Sequence, residues 1–312
     1  MKSVSQAISV NSVASHVGEH WRAYLEVTKP KVVLLLVFTA LAGMALAVPG
    51  WLPLQETVFG LLGIGLASGS AAAINHVVDR RCDAIMRRTE NRPLPRGELT
   101  STQCLVFASA IGILAMAILV FLVNPLTAVL TFLSLIGYAV VYTMYLKRAT
   151  PQNIVIGGAA GAMPPVLGWA AVTGSVTFDA LLLFLIIFIW TPPHFWALAI
   201  HRREDYARVN IPMLPVTHGV HCTRIHILLY TVLLFFISLL PWLSHMSGLL
   251  YLVGAIALGA VFLYQTVLMF DDRRERQPIR TFVFSITYLM LLFGLMLVDH
   301  YLQLFIGSSV AT

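Results

Sequence analysis

Long apolar runs, each bounded by charged residues or by Pro and Gly, dominate the pattern of hydrophobic and polar positions along the chain. A bilayer core about 30 Å thick requires roughly 20 apolar residues of α-helix, so the runs predict about nine transmembrane helices. The Gly-rich run with Pro164 and Pro165 predicts a helix that packs closely and is kinked. The approximate limits of the nine are 32–49, 54–76, 101–122, 125–146, 153–172, 178–200, 223–243, 247–270 and 281–305.

The composition agrees with a chain that lies mainly in lipid. Of its 312 residues, 58% are hydrophobic and only 11% are charged, whereas a soluble domain carries about 25% charged residues. A soluble enzyme is therefore not expected, and the high hydrophobicity excludes intrinsic disorder. The three cysteines include no CxxC pair, so neither a disulfide framework nor a zinc site is predicted.

The basic residues are distributed unevenly among the loops. All twenty Lys and Arg residues fall in the N-terminal segment or after an even-numbered span. The positive-inside rule then predicts a cytoplasmic N-terminus, an outer C-terminus and an active site on the cytoplasmic face. Residues 1–24 are expected to form a cytoplasmic tail that is not a signal peptide. This orientation explains the net charge of +6, so no nucleic-acid partner is expected.

A stripe of oxygen-bearing side chains occurs where the second span meets the cytoplasm. Asn75, Asp79 and Asp83 are spaced i, i+4 and i+8 and share one face of a continuous helix. Mg²⁺ binds few carboxylates together with water and phosphate oxygens, so the stripe predicts a metal site that holds a diphosphate. The alternative is a salt-bridge cluster with nearby arginines. Arg88 and Arg92 in the following loop are candidates to bind the diphosphate.

A second acidic patch follows the sixth span. Glu204 and Asp205 are candidate ligands of a second metal in this patch. His194, within the span, is either functional or a packed neutral side chain bonded to a carbonyl that the adjacent prolines leave free. Trp196 is interpreted as a core or interface residue, with the lining of a flat substrate's site as the alternative.

The two acidic patches lie four spans apart and therefore have the same orientation. This placement predicts two parallel four-helix halves, about 25–148 and 149–270, around a cavity that opens to the cytoplasm, with the segment 281–305 as an additional helix. Lys147 and Arg148 lie between the patches in sequence and are candidates to neutralise a departing diphosphate. For Lys147 the alternative is a side chain that merely snorkels to the membrane edge.

These motifs together resemble the membrane-embedded UbiA-type prenyltransferases, over a region from about residue 24 to 300. Within the family they look most like members that farnesylate haem. One departure occurs in the second patch, where Ile200 or His201 stands in place of an expected carboxylate, which leaves the ligands of a second metal open. The resemblance is carried by Thr28-Lys29-Pro30, Asn75-x3-Asp79-x3-Asp83, Arg88-Thr89-x-Asn91-Arg92-Pro93-Leu94, Thr150-Pro151-Gln152-Asn153, Trp190-Thr191-Pro192-Pro193-His194-Phe195-Trp196 and Asp205-Tyr206.

The resemblance implies an all-α polytopic membrane protein in which residues 25–305 form one prenyltransferase domain. It implies transfer of farnesyl from farnesyl diphosphate to a vinyl group of haem B, giving haem O, with Mg²⁺ as cofactor. Asp79, Asp83 and Lys147 are the expected catalytic residues, and His194 and Trp196 the expected haem contacts. A bacterial inner membrane is the expected location. A haem A synthase or a terminal oxidase is the implied protein partner.

Other functions are compatible with parts of the pattern. A UbiA-type enzyme acting on an aromatic quinone precursor would require a basic residue for the acceptor's carboxylate within a span, and the sequence places none there. A transporter would explain many helices in two related halves, but its ionisable residues are expected near the bilayer midplane. A purely structural subunit leaves both acidic patches unexplained.

Overall fold

The computed structural model describes residues 20–310, with side chains up to residue 306. All regular elements in that range are helical, which confirms the all-α prediction. They are α1 (His20–Val27), α2 (Pro30–Leu46), α3 (Leu54–Asp83), α4 (Ser101–Leu122), α5 (Pro125–Ala149), α6 (Asn153–Thr173), α7 (Phe178–His201), α8 (Arg203–Arg208), α9 (Leu214–Thr217), α10 (Gly219–Leu243), α11 (Leu249–Phe270) and α12 (Gln277–Val310).

The number of membrane-spanning helices agrees with the sequence. Within the described range, 8 helices are long and apolar enough to cross a bilayer, and α1 with α2 makes a ninth span bent by 49°. The predicted tail, residues 1–24, lies mostly outside the described residues; its last part, 20–24, is helical and belongs to α1. The proposed division into halves at 148/149 falls at the end of α5 and stays a prediction.

Two helices carry the first acidic stripe to its position. Helix α3 continues to Asp83, seven residues past the predicted limit of 76, so the whole stripe lies on one helix as its spacing required. Helix α5 contains a stretch of π-helix from Gly137 to Leu146, which the hydrophobic pattern did not predict. π-Helical turns are rare and occur frequently at functional sites.

The bend between α1 and α2 is centred on Lys29, whose backbone is left-handed with a φ of 53°. Side chains other than Gly rarely adopt this conformation, which costs roughly 1–2 kcal/mol. Pro30 follows as the first residue of α2, where its fixed φ favours a helix start. Helix α1 therefore ends just before Lys29, and α2 begins directly after it.

Close packing of α2 and α6 confirms the role expected of small residues in lipid. An added Cβ at Gly43 would collide with the carbonyl of Pro165, and one at Gly168 with the carbonyl of Ala40. Helix α6 is interrupted only at Met163, directly before the two prolines. Helix α7 is buried along most of its length and packs chiefly against α6, α10 and α12.

Candidate active site

The acidic stripe on α3 lies inside the protein. Asn75, Asp79 and Asp83 are only 4%, 3% and 4% exposed. The two carboxylates also lie in the last turns of a helix, where the helix dipole disfavours negative charge. Burial and the helix dipole both disfavour the negative charge of these carboxylates. The stripe therefore requires cationic partners.

Two cationic side chains from other elements pair with the stripe. Lys147 Nζ, at the end of α5, lies 2.5 Å from Asp79 Oδ2, and an Arg92 guanidinium nitrogen lies 2.7 Å from Asp83 Oδ2. The structure therefore brings together the predicted catalytic residues and one predicted diphosphate ligand. Thr89 Oγ1 donates to the carbonyl of Asp83 at 3.0 Å, which holds the loop that carries Arg92 against the end of α3.

Asn75 is held by three partners at once. Lys29 Nζ donates to its Oδ1 at 2.7 Å, while its Nδ2 donates to Asp79 Oδ2 at 2.8 Å and to Thr143 Oγ1 at 3.3 Å. An ammonium can only donate and a carboxylate can only accept. The amide orientation is therefore fixed, with the carbonyl oxygen facing Lys29.

Sequence reasoning did not single out Lys29 as a site residue. Its ammonium is attracted by Asp79 and Asp83 and repelled by Arg92 and Lys147, so it belongs to the same charge cluster. In the sequence it is one of several lysines that the topology rule already explains. The positive φ that turns it toward Asn75 has no signature in the hydrophobic pattern.

The donor set fits magnesium bound together with a phosphate-bearing substrate. Within residues 20–306, no hydrogen bond reaches the second carboxylate oxygens of Asp79 and Asp83, and Asn75 Oδ1 accepts only from Lys29. Nowhere in the described part of the chain do three or more His, Cys, Asp or Glu residues form a candidate metal cluster. Few protein oxygens with open coordination positions are what Mg²⁺ uses when phosphates and water complete its shell.

Aromatic hydroxyls lie beside this charge cluster. The rings of Tyr138 and Tyr142, on the π-helical part of α5, stack with centroids 5.5 Å apart. Tyr142 interacts electrostatically with both Asp79 and Tyr206. An added Cβ at Gly157 would collide with the Tyr142 ring, so the glycine-rich part of α6 makes room for this side chain. None of these tyrosines was a predicted site residue.

The remaining predicted cations are less tightly placed. Arg88 is exposed, and its charge acts on the buried Tyr206. Arg148 is also exposed, with a guanidinium nitrogen 3.5 Å from Cys82 Sγ. Their roles in diphosphate binding stay predictions.

The second acidic patch divides into one buried and one exposed residue. The side chain of Asp205 is 8% exposed and lies 4.0 Å from Arg202 and 3.9 Å from Arg208. The side chain of Glu204 is 90% exposed, and among the described residues its one ion pair is with Arg208, at 3.9 Å. Glu204 and Asp205 therefore do not form one compact pair of ligands.

Tyr206 connects the two patches. Burial raises the pKa of its hydroxyl, Arg88 and Arg92 act against this shift, and Asp205 and Asp79 add to it. Tyr206 thus interacts electrostatically with an acid of the first stripe, Asp79, and with an acid of the second patch, Asp205. The predicted convergence of the two patches on one region is supported by this placement.

His194 is packed and hydrogen-bonded within the bundle. Its ring stacks on Trp190 and Phe282, with centroids 4.2 and 4.5 Å away, and its Nδ1 lies 2.6 Å from Ser285 Oγ. The Ser285 hydroxyl donates to the carbonyl of Phe282 at 2.6 Å, so Nδ1 must be the donor to Ser285. In the neutral ring, Nε2 therefore carries the free lone pair.

Trp196 lies in a different environment from His194. It is 0% exposed, and its ring makes edge contacts with His226 and Tyr230, with centroids 5.9 and 5.4 Å away. These contacts favour the core interpretation over the lining of a substrate site. The predicted haem contact of Trp196 stays without support from its surroundings.

Sequence comparisons extend the likeness over nearly the whole chain. Residues 36–295 match the UbiA prenyltransferase family. A protoheme IX farnesyltransferase of Nitrosococcus oceani is 60% identical over 287 residues, covering 92% of this chain and 96% of the relative. The protein of the same name from Colwellia psychrerythraea is 61% identical over 287 residues, covering 92% and 94%.

Solved structures share the fold at low sequence identity. A digeranylgeranylglyceryl phosphate synthase superimposes with a TM-score of 0.75 at 17% identity, covering 90% of this chain and 99% of that one. A UbiA homologue from Archaeoglobus fulgidus bound to GPP and Mg²⁺ gives 0.62 at 17% identity, covering 88% and 99%. With a family match over most of its length and relatives at about 60% identity, the chain belongs to the UbiA prenyltransferase family.

Proposed function

We propose that this chain transfers the farnesyl group of farnesyl diphosphate to a vinyl group of haem B, giving haem O and diphosphate. The observation that carries the proposal is the buried stripe of Asn75, Asp79 and Asp83, whose partners are cations and whose remaining oxygens are open. The named activity of the relatives at about 60% identity supports haem B as acceptor over a quinone precursor or a transported solute.

The cations around the stripe are suited to the leaving group. Lys29, Arg92 and Lys147 each touch one stripe residue, so a diphosphate beside the stripe meets donors on more than one side. Mg²⁺, when bound to the stripe oxygens, neutralises the charge that develops on the diphosphate as the allylic C–O bond breaks. The lysines and Arg92 stabilise the same charge by fixed hydrogen-bond donors, without reorganisation of solvent.

The aromatic side chains beside the stripe are suited to the farnesyl end. Tyr138 and Tyr142 are half-buried, stack on each other, and both interact electrostatically with Asp79. Aromatic faces attract positive charge, and a water-poor cavity delays capture of an allylic cation until the vinyl group attacks it. Water then adds to the porphyrin-side cation and one proton is lost, which gives the hydroxyethylfarnesyl product.

His194 is the proposed haem contact. Its Nδ1–H is committed to Ser285, which leaves the Nε2 lone pair as the available ligand atom. A histidine that donates its other ring N–H to a fixed acceptor is the usual arrangement for a metal-ligating imidazole. Contact with the haem iron would account for a polar residue packed between Trp190 and Phe282.

The protein is a multi-pass membrane protein, and its orientation is part of the proposal. We place the N-terminus and the active site at the cytoplasmic face of a bacterial inner membrane and the C-terminus outside, from the distribution of Lys and Arg. Haem O would then pass to a haem A synthase or a terminal oxidase, which stays a prediction. Reporter fusions at the C-terminus that are active only in the periplasm test the orientation.

The direct test of the reaction is product formation by the purified protein. With haem B, farnesyl diphosphate and Mg²⁺, we expect haem O, identified by its mass, and no product when Mg²⁺ is removed by chelation. A product with 4-hydroxybenzoate in place of haem B would favour the quinone-precursor alternative. The absence of metal-dependent product from either acceptor would overturn the proposal.

A further inference from the structure

Helix α5 sets two of its residues, one in the π-helical stretch and one directly after it, against two residues of α3. Thr143 contacts Asn75 and Lys147 contacts Asp79, so a four-residue interval on α5 matches a four-residue interval on α3. Lys147 belongs to the site already described. Thr143 is 1% exposed and has no role in the reaction as derived so far.

The hydrogen bonds of Thr143 define what its hydroxyl does. Oγ1 lies 2.8 Å from the carbonyl oxygen of Tyr138, five residues earlier, and a carbonyl can only accept. The hydroxyl proton is therefore used there, and Oγ1 receives the Asn75 amide N–H as an acceptor. The wide π-helical turn thus supplies the carbonyl that orients the threonine.

We propose that Thr143 is a positioning residue that fixes the Asn75 amide so that Oδ1, which accepts from Lys29, would also be available to the metal ion of a bound diphosphate. The inference rests on the proposed function of the stripe and assigns a task to a residue that touches neither substrate. Both Asn75 amide protons are committed, one to Asp79 and one to Thr143. Rotation of the amide would break both bonds and would turn an N–H group toward Lys29.

Removal of the Thr143 hydroxyl leaves one N–H of a buried amide without its partner. An amide in that state can recover the lost bond only by moving, and movement carries Oδ1 away from the metal position. A net hydrogen bond of this kind is worth about 0.5–1.5 kcal/mol, or roughly two- to twelve-fold in a binding constant. The expected effect therefore appears in metal and diphosphate binding rather than in folding.

The test compares Thr143→Val, which keeps the shape, with Thr143→Ser, which keeps the hydroxyl. Thr131→Val is the matched control, because Thr131 is buried on the same helix and its hydroxyl has no hydrogen-bond partner among the described residues. Binding of Mn²⁺ to the detergent-purified protein is measured by electron paramagnetic resonance in the presence of inorganic diphosphate. The Mg²⁺ concentration for half-maximal turnover is measured in parallel.

We expect Thr143→Val to weaken Mn²⁺ binding and raise the Mg²⁺ requirement by about three- to ten-fold, with Thr143→Ser and Thr131→Val close to wild type. Equal Mn²⁺ binding by Thr143→Val and wild type would overturn the inference. If Thr143→Val does not fold, Thr143→Cys, with its weaker acceptor, must show a smaller loss in the same direction, and wild-type affinity would overturn the inference. Wild-type protein that binds Mn²⁺ and diphosphate but makes no haem O would overturn the proposed reaction and leave this inference standing.

Discussion

The chain has two acidic constellations, the stripe of Asn75, Asp79 and Asp83 at the end of the second span and the patch of Glu204 and Asp205 after the sixth. They occupy corresponding places, yet they are built differently. In the first, Asp79 pairs with Lys147 at 2.5 Å and Asp83 pairs with Arg92 at 2.7 Å. In the second, the contacts of Asp205 and Glu204 with arginines all lie at 3.9 to 4.0 Å. The first constellation is therefore an ordered network, whereas the second is a looser arrangement within one short helix.

The difference indicates that the two constellations have different tasks. Four separate elements converge on the first constellation, namely the bend between α1 and α2, helix α3, helix α5 and the loop that carries Arg92. The second relies on neighbours within α8 and at its start, and only Asp205 faces inward. We expect the first constellation to hold the metal and diphosphate in the absence of acceptor, and the second to contribute a single carboxylate.

Asp79→Asn is expected to have the largest effect on turnover. The substitution keeps the size of the side chain but removes the charge that faces both Lys147 and the metal position. We expect haem O formation to fall by about 1000-fold, equivalent to roughly 4 kcal/mol of transition-state stabilisation. Turnover rates with saturating Mg²⁺ measure this, and activity within ten-fold of wild type would contradict the role given to the first constellation.

Asp299 provides a control for a buried carboxylate with a structural role. Its oxygens accept from the backbone N–H groups of Gly248 and Tyr251, so Asp299 caps the first turn of α11. Asp299 and α11 are distant in sequence from the stripe. Asp299→Asn is expected to cost about 1–2 kcal/mol of stability and to lower the thermal midpoint. The Mg²⁺ requirement of the folded Asp299→Asn protein should stay unchanged.

Asp205→Asn is expected to have an intermediate effect. Asp205 is buried but loosely paired, and Tyr206 is its link to the first constellation. We expect a loss of about ten- to hundred-fold, since one charged contact in a buried site is worth roughly 1.5–3 kcal/mol. A loss as large as that of Asp79→Asn would instead indicate that the two halves contribute equally.

Glu204→Gln is expected to have the smallest effect. The side chain is 90% exposed, and its only ion pair in the described residues is at 3.9 Å. Exposed pairs of this kind contribute about 0–1 kcal/mol. Turnover and metal dependence within two-fold of wild type are predicted, and a strong loss would restore Glu204 as a metal ligand.

The features that depend on regular spacing could be predicted from the sequence. Apolar runs of bilayer length gave the spans, and the i, i+4, i+8 interval placed Asn75, Asp79 and Asp83 on one buried face. Topology placed Lys147 on the same membrane face as the stripe, but its ion pair with Asp79 was not predicted. Glu204 and Asp205, adjacent in sequence, could not be separated into exposed and buried residues without the course of α8.

The features that depend on local backbone departures could not be predicted. Lys29 reaches Asn75 from a left-handed residue at a helix break, and Thr143 reaches it from a π-helical turn. Neither departure alters the hydrophobic pattern. One of the two interpretations of His194 paired it with a carbonyl freed by proline, whereas the structure supplies Ser285 from α12, 91 residues away in sequence. Such long-range pairs carry no signal in a single sequence.

A structure with Mn²⁺ and a non-hydrolysable thio analogue of farnesyl diphosphate would show directly whether the first constellation binds the metal and the diphosphate. We expect an anomalous Mn²⁺ peak about 2.0–2.4 Å from oxygens of Asp79 and Asp83, with the diphosphate in contact with Arg92 and Lys147. A peak only at Glu204 and Asp205, with the salt bridges of Asp79 and Asp83 intact and no phosphate beside them, would overturn the role proposed for the first constellation.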